Sequence, residues 1–352
     1  MNIDKKYAQE PIFFERNRVY RVYKGGKGFH TFFGDEDIDG NLPEEWMAST
    51  VKALNKVVYT DHDGLSVLRG TDILYRDLLE TYPDEILGEG GNFDVLVKML
   101  DSAIRLPIQA HPDKPFSRKY FGSDFGKTEC WIITAVRENA KLYFGFKEDM
   151  TREEFEKYVT MSDEDKDCMT SILHEINPKV GDVYLIPALC VHAIGYGCLL
   201  LEVQEPTDFT IQPERWCGDY RLSDYEMYLG LDKEVALDCF DYSVCGDEAE
   251  KLTRRLPRTV LENDSVKIET LIGEEDTPCF GAKKYTVHTS YTLDSAPSLY
   301  VVMSGDAVIE GDGYSKDIRQ GDYFVLPHSA IGKYTVTTSS EVQLIECIPP
   351  KK

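Results

Sequence analysis

The segment Gln109–Lys114, which reads Gln-Ala-His-Pro-Asp-Lys, brings an amide, an imidazole and an ammonium together within six positions. Gln109 and His111 lie two residues apart, so on a β-strand both side chains point to the same face and can reach one metal ion. Glu129 in Gly-Lys-Thr-Glu and His192 in Val-His-Ala are further candidate ligands. Two histidines and a carboxylate that leave one coordination position open are typical of a catalytic metal site rather than a structural one.

The elements that must position these residues read mostly as short strands. Gly and Asp punctuate β-rich runs in the C-terminal part, at the spacing of a small barrel or sandwich. The pattern Gly181-Asp182 before Val183–Pro187 recurs as Gly321-Asp322 before Tyr323–Pro327. This weak internal repeat predicts two related β-barrels in tandem.

Helical patterns interrupt the strands in the N-terminal part. Thr151 and Glu154 form a capping-box pattern, and apolar residues then recur at helical spacing. Pro43 stands at the first turn of another helical pattern. We therefore expect helical segments at about 36–56, 151–176 and 232–240.

The composition describes an ordinary globular protein that is long enough, at 352 residues, for two domains. A formal net charge of −23 argues against nucleic-acid binding, because a phosphate backbone requires clustered Lys and Arg. The nine cysteines show no C-x-x-C pair, which favours reduced thiols in the cytoplasm. No secretory signal and no membrane span is expected, since no segment is apolar enough for either.

The ordered motifs resemble those of the type I phosphomannose isomerases, which belong to the cupin superfamily. The shared motifs, in chain order, are Gly25-Gly-Lys27, Pro43-Glu-Glu-Trp46, Gly64-Leu-Ser66, Gln109–Lys114, Gly126–Glu129, Gly181-Asp182 with Pro187, His192–Gly195 and Leu201–Gln204. The resemblance implies a mainly β bicupin, meaning two β-barrel or jelly-roll domains, with helical insertions. It assigns residues 1–245 to a metal-binding cupin domain and residues 260–352 to a metal-free one.

By the same resemblance, the metal is Zn²⁺, one ion per chain, and its ligands are Gln109, His111, Glu129 and His192. The second barrel is expected to lack metal. His192 lies five residues after Pro187, whereas the residue five after Pro327 is a glycine and His328 is out of register.

The implied reaction interconverts mannose 6-phosphate and fructose 6-phosphate by moving a proton through an enediol. The general base is not identified by the sequence. Lys114 is a candidate for both catalysis and substrate binding, because it is the nearest cation to the ligands along the chain. Ser66 is a candidate hydrogen-bond donor to the substrate phosphate. Lys114, Arg118, Lys119 and Lys127 could together attract an anionic sugar.

One departure from the family pattern concerns an arginine that the family is regarded as using in catalysis. Asp208 and Thr210 match that motif, but the arginine position holds Gln212, which has no charge to stabilise an enediolate or a phosphate. Arg215, three residues further on, is the predicted replacement.

Two other functions stay open at this point. A sugar-phosphate-binding cupin with little or no turnover would explain Gln212. An iron-dependent cupin oxygenase would use the same two histidines and carboxylate. The sequence gives neither the oligomeric state nor the physiological direction of the reaction.

Overall fold

The computed structural model describes residues 3–55 and 60–351, and strands dominate these residues. Their twenty-three strands are, in chain order, β1 Ile12–Phe13, β2 Arg18–Val19, β3 Glu44–Met47, β4 Leu96–Asp101, β5 Glu129–Val136, β6 Leu142–Phe146, β7 Leu173–Ile176, β8 Val183–Ile186, β9 His192–Ile194, β10 Cys198–Gln204, β11 Trp216–Cys217, β12 Tyr220–Arg221, β13 Arg254–Arg255, β14 Arg258–Glu262, β15 Val266–Ile272, β16 Gly281–Val287, β17 Ser290–Thr292, β18 Ser298–Ser304, β19 Asp306–Gly311, β20 Tyr314–Arg319, β21 Tyr323–Leu326, β22 Thr335–Thr337 and β23 Val342–Ile348.

The N-terminal half is built around an antiparallel seven-stranded sheet with the order β13-β8-β5-β10-β4-β3-β2. A three-stranded sheet with the order β7-β6-β9 accompanies it. Strands β4, β8 and β10 are buried at every residue, as expected for strands covered on both faces. Glu129 is the first residue of β5 and His192 is the first residue of β9.

The C-terminal half repeats this plan. Its seven-stranded sheet has the order β1-β21-β18-β23-β16-β15-β14, and a four-stranded sheet has the order β17-β22-β19-β20. The two Gly-Asp turns of the internal repeat precede β8 and β21, which occupy the same second position in their sheets. Gly181 and Gly321 have φ values of 88° and 86°, a left-handed conformation that glycine adopts without a Cβ penalty. The structure thus confirms the mainly β fold with two related barrels.

Short helices connect these strands. The α-helices are α1 Lys27–Phe33, α2 Tyr75–Thr81, α3 Pro83–Leu87, α4 Lys114–Tyr120, α5 Arg152–Met161, α6 Asp224–Tyr228, α7 Lys233–Ala236 and α8 Gly246–Thr253, and the 3₁₀ helices are Lys5–Ala8, Cys168–Ile172, Leu237–Cys239 and His328–Ala330. None of the helices in the described residues is long and apolar enough to cross a membrane.

The prediction of a helix at 36–56 is wrong for the described part of that segment, and residue 56 lies outside the described residues. Residues 44–47 form strand β3, which pairs with β4 and β2. Glu44 and Glu45 are buried there and accept hydrogen bonds from Arg21 and Asn17, respectively. These long-range partners outweigh the local helical pattern.

The helical prediction for 151–176 is correct only at its start. The capping box of Thr151 and Glu154 forms and begins α5, which ends at Met161. Residues 168–172 form a 3₁₀ turn and residues 173–176 form β7, whose buried Leu173 and Ile176 pair with β6. At 232–240 the structure has α7 and the 3₁₀ turn 237–239, in agreement with the predicted helix.

The two predicted domains are more entwined than a division at 245 and 260 implies. Strand β1, from the N-terminal segment, pairs with β21 of the C-terminal sheet. Residues 246–262 contain α8, β13 and β14, so they form part of the fold rather than a bare linker. One hydrophobic core contains residues of both halves, including Val97, Val203 and Val301.

Candidate active site

Backbone pairing brings the N-terminal candidate ligands together. Gln109 and His192 form an antiparallel bridge in which each backbone N–H donates to the other's carbonyl at 2.9 Å. Residues that face each other in such a bridge project to the same side of the sheet. Ala110 forms an equivalent bridge with Ile211, which fixes the register of the segment. His111, two residues after Gln109, therefore points to that side as well.

The side chains of His111, Glu129 and His192 converge. One ligand atom from each lies within 4.8 Å of the other two, and all three side chains are buried. His111 Nε2 is 3.1 Å from one Glu129 oxygen, and His192 Nε2 is 3.4 Å from the other. The amide nitrogen of Gln109 lies 3.3 Å from His192 Nε2, so this side chain belongs to the same cluster. In the part of the chain that the structure describes, this is the one group of three or more His, Cys, Asp or Glu side chains with such geometry.

Each histidine is oriented by a backbone carbonyl. His111 Nδ1 lies 3.0 Å from the Phe209 carbonyl oxygen, and His192 Nδ1 lies 2.8 Å from the Cys190 carbonyl oxygen. Since a carbonyl only accepts, both rings place their proton on Nδ1 and direct an unprotonated Nε2 at Glu129. This is the arrangement in which histidine binds a metal ion.

Electrostatics favours the same protonation states. Burial, helped by the nearby Lys127 ammonium, lowers the pKa of His111 to about 3, and burial also lowers the pKa of His192. Burial would raise the pKa of Glu129, but Lys127 and then His111 outweigh it and hold that pKa well below its usual range. Two neutral imidazoles and an ionised carboxylate are thus the stable forms at neutral pH.

The ammonium group of Lys127 lies next to the candidate ligand atoms, where a bound cation would be expected. It lies 2.7 Å from His111 Nε2 and 2.5 Å from a Glu129 oxygen. The atoms that a metal ion would use therefore already surround a positive charge. Lys127 is also buried and lies 3.6 Å from Glu202.

The cluster opens into a cavity of about 460 Å³ that Gln109, Lys127 and Glu129 line. Lys98 and Glu202 line it too and lie 3.8 Å apart on the paired strands β4 and β10. Burial, together with the charge of Glu129, raises the pKa of Glu202 to about 8 against the opposing effect of Lys98. Burial would lower the pKa of Lys98, but Glu202 and Glu44 raise it above its usual value.

Known proteins are similar to this chain over most of its length. The chain is 26% identical over 329 residues to the mannose-6-phosphate isomerase of Streptococcus mutans serotype c, covering 91% of this chain and 93% of that protein. It is 28% identical over 261 residues to the mannose-6-phosphate isomerase ManA of Bacillus subtilis (strain 168), covering 72% of this chain and 75% of that protein. No family model matches the chain.

Solved structures extend the likeness to the fold. A crystal structure of the mannose 6-phosphate isomerase from Bacillus subtilis has a TM-score of 0.75 at 23% identity, covering 96% of this chain and 99% of the other. This chain is a homologue of the mannose-6-phosphate isomerases. The resemblance to the phosphomannose isomerases and the two-barrel fold that the motifs predicted are thereby confirmed.

Two of the residues predicted for the substrate site lie outside the cavity lining. Lys114 is the first residue of α4, and its ammonium is 3.5 Å from Glu205 with the side chain 41% exposed. Ser66 is fully buried, donates to the Trp46 carbonyl and accepts from the backbone N–H of Ser49. Its hydroxyl thus connects the end of β3 with the backbone that follows the strand.

Arg215, the predicted replacement arginine, is also not among the residues that line the cavity, and its role stays a prediction. Its guanidinium donates to Asp163 and Asp224 at 2.7 Å each. Gln212 does line the cavity, but its amide nitrogen donates to the Glu226 carbonyl at 2.9 Å.

Sequence reasoning missed the cavity cations Arg21 and Lys98 and assigned Lys127 only to a general basic cluster. A signal existed for Lys127, because it precedes Glu129 by two residues and so faces the same side of an extended segment. For Arg21 no local signal existed, since its partner Asp208 lies 187 residues away.

Proposed function

We propose that His111, Glu129 and His192, with Gln109 as a fourth ligand, bind one Zn²⁺ per chain. The donor set suits this ion, because two imidazole nitrogens and a carboxylate are common zinc ligands in catalytic sites. The lowered pKa values of all three groups keep them in their binding forms. In the second barrel the position that corresponds to Glu129 holds Ser298. Both residues begin the third strand of their sheet, and both pair with the residue that precedes the proline of the internal repeat.

We further propose that the protein interconverts mannose 6-phosphate and fructose 6-phosphate. The observation on which this depends is that the histidine–carboxylate cluster opens into a cavity lined by the titratable side chains of Lys98, Lys127 and Glu202. Zinc, when bound, supplies a Lewis acid for a sugar oxygen. The cavity volume of about 460 Å³ is sufficient for a hexose phosphate.

Lys127 and Glu202 are the proposed proton-transferring pair. Both line the cavity beside Glu129, and their charged atoms lie 3.6 Å apart. In its ionised form Glu202 can accept a proton from a substrate carbon, and its raised pKa makes it a stronger base. Lys127 can donate to an adjacent oxygen. The cytoplasmic location is proposed as well, and it is supported by the nine cysteines, all of which are free.

A coupled assay with mannose 6-phosphate tests the function directly. We expect conversion by the zinc-loaded protein, loss of conversion after chelation and recovery when zinc is returned. Tight binding of mannose 6-phosphate without conversion would instead identify a binding protein. That alternative is tested because Gln212 stands at the position of the family's arginine.

Lys127→Met and Glu202→Gln test the proton-transferring pair. Each variant should lose about 10²–10⁴-fold in kcat, the usual contribution of a positioned acid or base. Zinc should stay at one ion per chain in each variant, because neither residue is a proposed ligand. Lys147→Met is the matched control, because Lys147 is exposed and is not among the residues that line the cavity. A Lys127→Met protein with full kcat would remove Lys127 from the proposed chemistry.

A further inference from the structure

A second polar group lines the cavity, formed by Arg21, Asn55, Glu44 and Asp208. The Arg21 guanidinium donates to Glu44 at 3.0 Å, to the Asn55 side-chain oxygen at 3.1 Å and to both oxygens of Asp208 at 3.0 and 3.2 Å. Its side chain is only 12% exposed. The guanidinium is therefore fixed in the cavity wall by partners on three sides.

The side-chain amide of Asn55 is hydrogen-bonded through its oxygen but not through its nitrogen. Because its oxygen accepts from Arg21, the amide nitrogen is directed away from the guanidinium, and the hydrogen-bond network sets this orientation. That nitrogen is buried and finds no hydrogen-bond partner among the described residues. A buried donor without an acceptor costs free energy, so this nitrogen requires an acceptor from the contents of the cavity, either solvent or a ligand oxygen.

The guanidinium offers a second donor at the same place. Arginine has five N–H groups, and the four hydrogen bonds of Arg21 leave at least one of them without a partner in the described part of the chain. Arg21 and Asn55 together thus present unused donors to a ligand.

The surrounding charges decide which part of a sugar phosphate fits these donors. Arg21 and Lys98 are balanced by Glu44 and Asp208, so this part of the cavity has no formal excess of positive charge. Glu44 keeps its charge, because Arg21 and Lys98 outweigh its burial and lower its pKa to about 2. A phosphate dianion needs a net positive environment, whereas a hydroxyl or carbonyl oxygen needs only donors.

We propose that Arg21 and Asn55 form a subsite that binds an uncharged oxygen of the substrate's sugar chain, not its phosphate. Asn55 is a specificity-determining residue of this subsite, and Arg21 both donates and orients the Asn55 amide. The subsite rests on the proposed function insofar as its ligand is a hexose phosphate. It needs no turnover to be observed.

Asn55→Leu tests the subsite, because leucine has nearly the same shape, no donor and no added charge. The probes are mannitol 1-phosphate, an open-chain polyol phosphate without a carbonyl group, and inorganic phosphate, each measured by calorimetric titration or displacement. Loss of the donor should weaken mannitol 1-phosphate about tenfold, which corresponds to roughly 1.4 kcal/mol, and leave inorganic phosphate unchanged. Asn55→Ala should give the same result if the leucine variant folds poorly.

Asn177→Leu is the matched control, since Asn177 is exposed and lies outside the cavity lining. Equal weakening of both probes by Asn55→Leu would make the subsite a phosphate site and overturn the proposal. Unchanged affinity for mannitol 1-phosphate, or no binding of it by the unmodified protein, would overturn it as well. Binding that depends on Asn55, in a protein that does not convert mannose 6-phosphate, would refute the isomerase function and leave the subsite standing.

Discussion

His111 and His192 are prepared for metal binding by backbone atoms rather than by other side chains. The carbonyl groups of Phe209 and Cys190 accept the Nδ1 protons, so neither ring must change its tautomer when an ion binds. The lowered pKa values mean that binding displaces no proton from the imidazoles at neutral pH. The cluster is thus set for a cation before one arrives.

Replacement of His192 by Gln should therefore act on metal affinity first. Glutamine presents a weaker, neutral oxygen donor in place of the Nε2 atom that faces Glu129. Since loss of a supporting partner alone costs roughly 10–100-fold in metal affinity, loss of a ligand should cost at least about 100-fold. Zinc content after dialysis, measured by mass spectrometry, checks this. His288→Gln, at a 41% exposed histidine of the C-terminal half, is the control, and zinc retained at one ion per chain in His192→Gln would contradict the assignment.

At this scale the sequence predicted the cluster but not the rest of the cavity. Gln109 and His111 were recognisable as candidate ligands, because side chains two residues apart on an extended segment point to the same side. Lys114 was chosen for its closeness along the chain, yet α4 turns it towards Glu205. Arg21 and Asn55 meet only because the chain folds across their 34-residue separation, which no local pattern encodes.

The segment before Gln109 is held by an ion pair between elements distant in sequence. Glu214 is fully buried and accepts from Arg105 through both oxygens, at 2.7 and 2.5 Å. It also accepts from the backbone N–H of Ile108 at 2.8 Å. The chain between Arg105 and Gln109 is thereby tied to the segment that follows β10, which supports the bridge between Gln109 and His192.

We expect Glu214→Ala to lower the free energy of unfolding by about 3–5 kcal/mol, because it leaves the Arg105 charge and the Ile108 N–H without their acceptor. Urea denaturation followed by circular dichroism measures the change. Asp219→Ala, which removes an exposed partner of Lys166, should leave the denaturation midpoint unchanged. An equal, small effect of both substitutions would mean that Glu214 does not anchor the segment.

Strands that follow a recognisable turn motif could be predicted from the sequence. Segments whose structure depends on partners distant in sequence could not. The Gly-Asp turns gave β8 and β21 correctly, because a glycine at positive φ is a local requirement. The prediction of a helix at 36–56 was wrong because Pro-Glu-Glu-Trp, although compatible with the start of a helix, forms a strand of the N-terminal sheet instead. Glu44 has its partners in Arg21 and Tyr23, outside any window that the helical pattern covers.

The two barrels are joined by strand pairing and by a shared core. β1, close to the N-terminus, completes the C-terminal sheet through its pairing with β21. Tyr323 of β21 donates to Glu45 of β3 in the N-terminal sheet, and its ring stacks on Phe14 with centroids 6.1 Å apart. Apolar residues of both halves share one core. The repeat in the sequence therefore indicated two barrels correctly but not the contacts that join them.

These contacts predict that the C-terminal half does not fold by itself and that the whole chain unfolds in one step. A fragment of residues 246–352 lacks β1 and exposes the apolar face that the N-terminal sheet covers, so it should show no cooperative transition in urea. In the full chain, tryptophan fluorescence reports the N-terminal half alone, because Trp46, Trp131 and Trp216 all lie there, whereas far-ultraviolet circular dichroism reports both halves. The two signals should give coincident midpoints, since unfolding either half exposes the shared core of the other. Separate midpoints, or a fragment that unfolds cooperatively, would show that the barrels are independent domains and that the division predicted from sequence was sufficient.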